Sequence, residues 1–286
     1  MLNTINNLIN PNLRIGIGAY ENPDKIEDAI KSVDFCNVEV FDDSSKIISS
    51  LKKGEIDAIV RGTLQSSEFL KEVKGNFGID KIYRIGLLGT YDKKYFFFAP
   101  LGIDEGEDLK EKEMFVEYAK DLLKRFKVEP RISVLSGGRT KDLGRSERVD
   151  KSILEAEALA EKYGIDHAQI LIENAITSSN FILAPDGISG NLVYRTLIHL
   201  GGGSSHGALY YPLAVDDIII VDTSRAAPKE EYISSIALAN AIKNYWLNEL
   251  SILSRFTTLF QDLISLWLVA SRCIGVSDTF FCFIAE

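Results

Sequence analysis

The sequence predicts an α/β protein in which mixed, mostly parallel sheets lie between layers of helices. Short apolar segments typical of strands alternate along the chain with longer amphipathic segments typical of helices. The segment 217–221, Asp-Ile-Ile-Ile-Val, has an apolar run typical of a strand buried on both faces of a parallel sheet. With 286 residues, of which 46% are hydrophobic, the chain can also bury a large core. These observations favour a three-layer α/β/α arrangement.

Nine strands and seven helices follow from these patterns. The strands, which are short apolar runs, are predicted in chain order at 13–18, 37–41, 56–60, 83–88, 94–99, 131–135, 169–172, 180–184 and 217–223. The helices are predicted at 24–32, 44–53, 66–74, 107–126, 149–163, 191–200 and 228–245. The helix at 107–126 has acids at its start and bases at its end, which complements its dipole. Pro130 then begins a new unit, and Pro228 is a typical first helical residue.

Charge and cysteine content argue against several classes of function. The net charge is −9 and the pI is near 5.1, so we expect binding to neither nucleic acid nor an anionic membrane. The three cysteines have no CxxC pairing and no metal-ligand spacing, which predicts neither a disulfide framework nor a metal site. The first twelve residues lack the features of a secretory signal. We therefore expect a cytoplasmic protein, and a small phosphorylated or anionic molecule stays possible as a ligand of local basic clusters.

The segment 184–225 carries the most specific motifs. In order, they are Pro185-Asp186, Asn191, the pair Tyr194-Arg195, the Gly-rich turn 201–203 and Ser224-Arg225 at the end of the apolar strand. This series resembles the phosphate acetyl/butyryl transferase superfamily, as do 51–62 and 131–136. The segments 137–157 and 185–202 are still more similar to the MtxX-type methanogen marker proteins, a branch of that superfamily labelled as methyltransferases. The resemblance covers about residues 13–245 and implies an archaeal protein.

The resemblance implies an isocitrate/isopropylmalate dehydrogenase-like fold of the phosphotransacetylase type, with two domains flanking a cleft. The first domain would comprise residues 1–127 and 222–245, and the second residues 128–221. Residues 246–286 would form an atypical C-terminal tail. The implied reaction is group transfer, in which a thiol or similar nucleophile attacks an acyl phosphate. Coenzyme A or a methanogen coenzyme would be the co-substrate, no cofactor would be tightly bound, and a homodimer is one open expectation.

Three residues near the strand end are the catalytic candidates. The resemblance implies that Ser224 and Arg225 hold the phosphate of the acyl phosphate. Arginine suits this role because its planar fork donates two charge-assisted hydrogen bonds to an oxyanion. The resemblance also implies that Glu231, seven positions after Ser224, accepts the thiol proton. Two plainer interpretations stay open: Ser224 and Arg225 as a strand end with a surface arginine, and Glu231 as an acid that stabilises the helix dipole.

Further anion contacts are predicted in a basic loop and on a helix. In the loop Ser-Gly-Gly-Arg-Thr-Lys-Asp-Leu-Gly-Arg, Arg139 and Arg145 stand beside glycines between a strand and a helix, where helix amides also point. Asn191 and Arg195 lie four positions apart at the predicted start of a helix and can therefore reach one ligand. The alternatives are solvated charges paired with nearby acids in the loop, and helix-start hydrogen bonds from Asp186 or Ser189 on the helix.

Other chemistries lack their motifs. Glu21 stands where the third glycine of a dinucleotide fingerprint would follow Gly16-Ile17-Gly18, and no Walker A, HExxH or GxSxG motif occurs. His206 has no obvious carboxylate partner in sequence and is interpreted as a solvated loop histidine. Two alternatives to acyl transfer stay open: a methyltransferase or methyltransferase accessory of methanogen C1 metabolism, and a non-catalytic regulatory protein that binds its ligand in the cleft.

The segment 246–286 differs from the rest of the chain. Lysine is absent after Lys243, while both tryptophans and two of the three cysteines lie in this segment. Its longest apolar stretch, near 263–270, is far shorter than the ~20 residues that span a bilayer, so no membrane span is predicted. The segment is compatible with an added helix packed on the sheet or on a partner subunit, with an interfacial membrane helix, or with sequence unrelated to the ancestral fold, such as a shifted reading frame.

A chain stopped after Tyr245 is expected to fold, because the family pattern ends there. It should remain soluble, unfold cooperatively in a thermal melt and keep its anion site. If the tail packs extensively, deletion should cost several kcal/mol, since burying one large apolar side chain stabilises by ~1.5–3 kcal/mol. Aggregation, or a Tm lowered by more than about 10 °C, would contradict the prediction.

Overall fold

A ten-stranded mixed sheet organises residues 2–248, which are the residues that the computed structural model describes. The strands are β1 (Arg14–Gly18), β2 (Asn37–Phe41), β3 (Ala58–Val60), β4 (Tyr83–Gly89), β5 (Tyr95–Ala99), β6 (Ile132–Leu135), β7 (Asp166–Gln169), β8 (Phe181–Leu183), β9 (Ser204–Tyr211) and β10 (Ile220–Asp222). Their order across the sheet is β2-β1-β3-β10-β9-β4-β5-β8-β6-β7.

The sheet has two parallel halves joined by an antiparallel centre. Strands β2, β1, β3 and β10 pair in parallel, and so do β5, β8, β6 and β7. Between them, β9 pairs antiparallel with β10 and with β4, and β4 pairs antiparallel with β5. The prediction of an α/β fold with mixed, mostly parallel strands is therefore confirmed.

The helices connect the strands and cover the sheet. They are α1 (Leu2–Asn7), α2 (Pro23–Ile30), α3 (Ser44–Lys52), α4 (Ser66–Phe77), α5 (Leu109–Arg125), α6 (Glu147–Tyr163), α7 (Ile172–Ser178), α8 (Gly187–His199) and α9, which begins at residue 229 and continues to 248. Side-chain caps at Asp43, Asp108, Ser146 and Asp186 accept first-turn N–H groups of α3, α5, α6 and α8. No helix within residues 2–248 is long and apolar enough to cross a membrane.

Helix α8 starts four residues before its predicted start. The side chain of Asp186 accepts a hydrogen bond from the Ser189 N–H at 2.7 Å, which fixes the beginning of the helix at Gly187. Asn191 and Arg195 consequently lie beyond the first turn rather than at the helix start. The helix-start interpretation of Asp186 is confirmed.

Two strands differ from the prediction: β9 was missed, and β7 was predicted too late in the chain. β9 was missed because its sequence, Ser-Ser-His-Gly-Ala-Leu-Tyr-Tyr, begins with polar residues, although the strand lies between β10 and β4 in the centre of the sheet. His206 belongs to this strand and is half-buried, so it is not a solvated loop histidine. β7 was predicted at 169–172, but the edge strand is the polar segment Asp166–Gln169, and α7 begins at Ile172.

Two apolar clusters hold helices against the sheet. In the first parallel half, Ile47 of α3 and Phe69 of α4 pack with Ile220 of β10. In the second half, Ala175 of α7 packs with Ile182 of β8, and α8 is packed against the same cluster. The contacts group residues up to Tyr245 into one unit.

The sheet runs continuously through both predicted domains. The division into 1–127 plus 222–245 and 128–221 stays a prediction. Of the predicted tail, residues 249–286 lie outside the described residues.

Two asparagines attach the N-terminal segment to α9. Asn240 is fully buried; its Oδ1 accepts from the Asn10 N–H at 2.8 Å, and its Nδ2 donates to the Asn10 carbonyl at 2.9 Å. One turn later, Asn244 Nδ2 donates to the Leu8 carbonyl at 2.9 Å, and Asn244 Oδ1 accepts from Asn10 Nδ2 at 3.0 Å. These bonds fix the position of α9, which carries Glu231 in its first turn.

Replacing Asn240 by alanine should lower the free energy of unfolding by about 1–3 kcal/mol, because the backbone N–H and carbonyl of Asn10 lose their partner. Urea denaturation measures the change. The control is Asn76→Ala, which removes an exposed asparagine of α4 and should cost less than about 0.5 kcal/mol. Equal stability of the two variants would contradict the structural role assigned to Asn240.

Candidate active site

A row of paired residues crosses the sheet at the ends of β3 and β10. Asp222 pairs with Ala208 of β9, and Ala208 pairs with Gly86 of β4. Arg61 directly follows β3 and continues the row, since its N–H donates to the Val221 carbonyl at 2.9 Å. Paired residues point to the same face of a sheet. Ala208 and Gly86 are small, so they leave space on that face beside the charged side chains of Asp222 and Arg61.

A cavity of about 170 Å³ lies over this row. Its lining combines the strand ends, the start of α9 and one face of α8: Arg61, Arg84, Leu101, Asn191, Tyr194, Ser205, Gly207, Ala208, Asp222, Thr223, Ser224 and Glu231. We call it the cleft cavity. It shares Tyr194, Ser205, Ser224 and Glu231 with an adjoining cavity of about 210 Å³, so Glu231 stands between two neighbouring spaces.

A buried ionic network forms one wall of the cleft cavity. Asp222 pairs with Arg61, and its Oδ2 lies 3.5 Å from Nε of Arg84. Arg61 also donates to the carbonyls of Leu64, at 2.5 Å, and Thr223. Burial alone would raise the pKa of Asp222, but the two guanidinium groups hold that pKa below its usual value. Asp222 is therefore an ionised residue with a structural role.

Arg84 is less completely bonded than Arg61. Its Nη1 lies 3.6 Å from Oε1 of Glu105, while its Nε is buried and makes no hydrogen bond within the described part of the chain. Burial raises the pKa of Glu105 to about 7, against the opposing effect of Arg84. Arg84 lines the cavity and makes only long ion pairs with Asp222 and Glu105, so its guanidinium is suited to binding an anion.

Glu231 is the titratable residue best placed for proton transfer. It is 2% exposed, and its Oε1 accepts from the Ser224 N–H at 3.3 Å. Burial raises its pKa to about 7, although hydrogen bonds from the Ser224 N–H and the Ser205 side chain act in the opposite direction. A carboxyl group with this pKa can give and take protons near neutral pH. Its place in the first turn of α9 also agrees with the dipole interpretation, so both interpretations remain compatible with the geometry.

The structure brings three of the predicted site residues together. Ser224, Glu231 and Asn191 all line the cleft cavity. The Ser224 hydroxyl accepts from the Ala226 N–H at 3.2 Å, which leaves its own proton free to be donated. Asn191 Nδ2 donates to the Leu101 carbonyl at 2.9 Å and so fixes the loop after β5 against α8.

The other four predicted site residues lie outside that lining. Arg225 is exposed, and its Nη1 bonds Oε1 of Glu21 at 2.7 Å. Arg195 and Arg139 are exposed, and Arg145 pairs with Asp142 at 3.0 Å. Contacts of these four arginines with a ligand stay predictions.

Sequence reasoning missed Arg61, Arg84, Asp222 and Glu105. A signal existed for the two residues at strand ends, because Arg61 lies inside the recognised segment 51–62 and Asp222 is a charge at the end of an apolar strand. Neither Arg84 nor Glu105 has a comparable local signal. Arg84 lies close enough to contact Asp222 because a single strand, β9, lies between β4 and β10 in the sheet. Since β9 was not predicted, this proximity could not be predicted either.

The site has the donors for an anion rather than for a metal ion. Within residues 2–248, no group of three or more His, Cys, Asp or Glu side chains is placed to hold a metal. The cleft cavity instead combines guanidinium groups, a serine and a carboxyl group of raised pKa.

Comparisons of sequence identify relatives in methanogens, while no family model matches the chain. The chain is 40% identical over 234 residues to "Putative methyltransferase mtx subunit X" of Methanosarcina mazei, covering 80% of each protein. It is 43% identical over 214 residues to the protein of the same name from Methanosarcina acetivorans, covering 72% of this chain and 75% of that one. It is 35% identical over 235 residues to an "uncharacterized methyltransferase" of Methanocaldococcus jannaschii, covering 78% and 94%.

Solved structures of similar fold include a phosphotransacylase and a phosphotransacetylase. The branched-chain phosphotransacylase of Enterococcus faecalis has a TM-score of 0.61 at 15% identity, over 80% of this chain and 99% of that one. A phosphotransacetylase of Streptococcus pyogenes has a TM-score of 0.59 at 16% identity, over 85% and 97%. At these identities the likeness shows the fold alone. The chain has the phosphotransacetylase fold and, by the identity to its methanogen relatives, belongs to the family of the mtx subunit X proteins.

Proposed function

We propose that the protein transfers an acyl group from an acyl phosphate to a thiol in the cleft cavity, with Glu231 as the base. The observation that carries the proposal is the buried Glu231 carboxyl, whose pKa is raised to about 7 and which lines a cavity together with Ser224 and Arg84. Coenzyme A or a methanogen coenzyme is the proposed thiol, bound as a co-substrate.

Arg84 is the proposed contact for the phosphate group. Arg61 is occupied by Asp222 and two backbone carbonyls, whereas the side chain of Arg84 is 19% exposed and lies 3.5 and 3.6 Å from its two carboxylates. A positive charge fixed in a buried site stabilises the anion that leaves more strongly than it would in water. The Ser224 hydroxyl would donate a further hydrogen bond.

The proposed step conserves atoms and charge. Ionised Glu231 takes the thiol proton as the sulfur attacks the carbonyl carbon of the acyl phosphate. The new carbon–sulfur bond replaces the bond between that carbon and the phosphate oxygen, and phosphate leaves with the electron pair. The proton on Glu231 then passes to solvent. In the reverse direction, protonated Glu231 returns the proton to the sulfur.

Arg225 would join the phosphate contacts after leaving Glu21. The two side chains are 48% and 42% exposed, and an ion pair of this kind contributes only ~0–1 kcal/mol. A doubly charged phosphate group near Ser224 can therefore compete with Glu21 for the guanidinium.

Methyl transfer is the second candidate, and the names of the methanogen relatives favour it. In that reaction Glu231 would again take a proton from the nucleophile, and the anionic part of the methyl donor or acceptor would contact Arg84. An accessory or regulatory protein without turnover would use the same cavity for binding alone. Assays with acyl phosphates and with methyl donors separate these three possibilities.

Replacing Glu231 by glutamine should reduce acyl transfer about 100-fold or more, because the amide cannot accept the thiol proton. Transfer from an acyl phosphate to coenzyme A is followed by the loss of free thiol. In the unmodified protein the rate should rise with pH through about 7, as Glu231 ionises, and this dependence should be absent in the variant. The control is Glu230→Gln, which changes an exposed acid in the same helical turn.

Although Glu231→Gln should lower activity, it should raise the stability of the protein near neutral pH. Folding raises the pKa of Glu231 from 4.5 to about 7, so its stabilising contribution is complete below about pH 4.5 and is lost as the pH rises to about 7. Relative to the unmodified protein, Glu231→Gln should gain up to roughly 3 kcal/mol of unfolding free energy across that window. Unchanged transfer rates would exclude the base role. A lack of acyl transfer in the unmodified protein would favour methyl transfer or binding alone.

Replacing Arg225 by alanine should weaken phosphate binding by roughly 1.5–3 kcal/mol, the scale of a charged hydrogen bond. Calorimetric titration with inorganic phosphate measures the affinity. Arg14→Ala is the control, because Arg14 is also half-exposed and paired with an acid, Asp57, but lies at the opposite end of β1 from Glu21. If both variants keep the unmodified affinity, Arg225 has no part in the phosphate site.

A further inference from the structure

A second, larger cavity lies over the β6 and β8 half of the sheet. Its volume is about 580 Å³, within the range of about 300–1,000 Å³ that small-molecule sites occupy. Among the described residues, it shares no lining residue with the cleft cavity. We call it the β6/β8 cavity.

Helix α8 separates the two cavities. Asp186, Ser189 and Val193 line the β6/β8 cavity, whereas Asn191 and Tyr194 line the cleft cavity. These positions lie on different faces of α8 because successive residues of a helix are rotated by about 100°. The two spaces are therefore distinct sites and not parts of one.

The walls of the β6/β8 cavity are suited to the apolar body of a ligand. Leu135, Ile172 and Val193 line it and belong to or pack on the apolar cluster of this half of the sheet. Ile170 adds a large apolar side chain that is 52% exposed. Mostly apolar walls with a few placed polar groups are typical of sites for small organic ligands.

Three acids line this cavity, and two of them are engaged with neighbours; the third, Glu107, is 70% exposed and lies 3.9 Å from Lys81. Glu155 is paired with the buried Lys112 and lies 3.6 Å from Lys151. Asp186 caps α8 through the Ser189 N–H. Of the three, Glu155 is neutralised by two lysines.

Arg148, by contrast, is a weakly engaged cation at the cavity. Its side chain is 85% exposed, and its contact with Asp186 is 3.9 Å long. The segment 136–148 that carries it has four cations and two acids, in a protein of net charge −9. Of these four cations Arg148 lines the cavity, where its exposed guanidinium can pair with an anion.

We infer that the β6/β8 cavity binds a phosphate-bearing small molecule with an apolar body, of about the size of a nucleoside monophosphate. The phosphate contacts Arg148 and Lys151, and the body lies against Leu135, Ile172 and Val193. This site is separate from the proposed reaction at Glu231 and does not depend on it.

Calorimetric titration of the full chain with AMP tests the inference. AMP should bind saturably, and more tightly than either adenosine or inorganic phosphate, because only AMP has both parts. Arg148→Ala should weaken AMP binding roughly tenfold or more. Lys141→Ala, which removes an exposed cation of the same segment outside the cavity lining, should leave the AMP affinity unchanged.

A pair of substitutions at Ile170 gives an independent test that leaves Arg148 intact. Ile170→Glu should weaken AMP binding and Ile170→Lys should preserve or strengthen it, since both changes remove the same apolar side chain and differ in charge. Glu231→Gln should leave AMP binding unchanged. The inference is overturned if AMP gives no saturable signal up to roughly 10 mM, where even a complex with a millimolar Kd forms. It is also overturned if AMP binding responds to Glu231→Gln but not to the changes at Arg148 and Ile170.

Discussion

The position of Asp222 between Arg61 and Arg84 is the interaction on which the candidate active site depends. It joins three elements that the chain separates widely: the end of β3, the end of β10 and the start of β4. A buried carboxylate without partners would be costly, so the two guanidinium groups make this strand end possible. Because Arg61 also bonds the Thr223 carbonyl, the chain leaves β10 in a fixed direction. That direction brings Ser224 to the cavity and its N–H to Glu231.

The two carboxyl groups of the cleft cavity are held in different protonation states by their surroundings. Asp222 has a lowered pKa because two guanidinium groups outweigh its burial. Glu231 has a pKa raised to about 7 because burial dominates, and the nearby charge of Asp222 adds to the increase. Pairs of titratable groups with divergent pKa values are typical of sites that move protons. Asp222 therefore stays charged and holds the strand ends together, whereas Glu231 can exchange its proton near neutral pH.

The sequence was sufficient for those features that depend on local pattern. Most of strands β1 to β6, β8 and β10 are apolar, and Ser224 and Glu231 could be located because the family resemblance implies a Ser-Arg pair at the end of one such strand and an acid seven positions later. β9 could not be predicted, since its polar start is typical of a loop and its burial comes only from the neighbours on both sides. Without β9, no spacing along the chain places Arg84 beside Asp222. Arg225 shows a further limit: its motif was visible, but its ion pair with Glu21, 204 positions away, was not.

Glu105 links the start of α8 to Arg84 of the cleft cavity. Its carbonyl accepts from the Gly187 N–H at 2.8 Å, at the start of the helix that separates the cavities, and its carboxylate holds Arg84 in the cleft cavity. The contact requires glycine at 187, because a Cβ there would lie 1.9 Å from the Gly102 carbonyl oxygen. Burial raises the pKa of Glu105 to about 7. Protonation near neutral pH would remove the negative charge that faces Arg84, so the guanidinium would be left freer to bind an anion in the cleft.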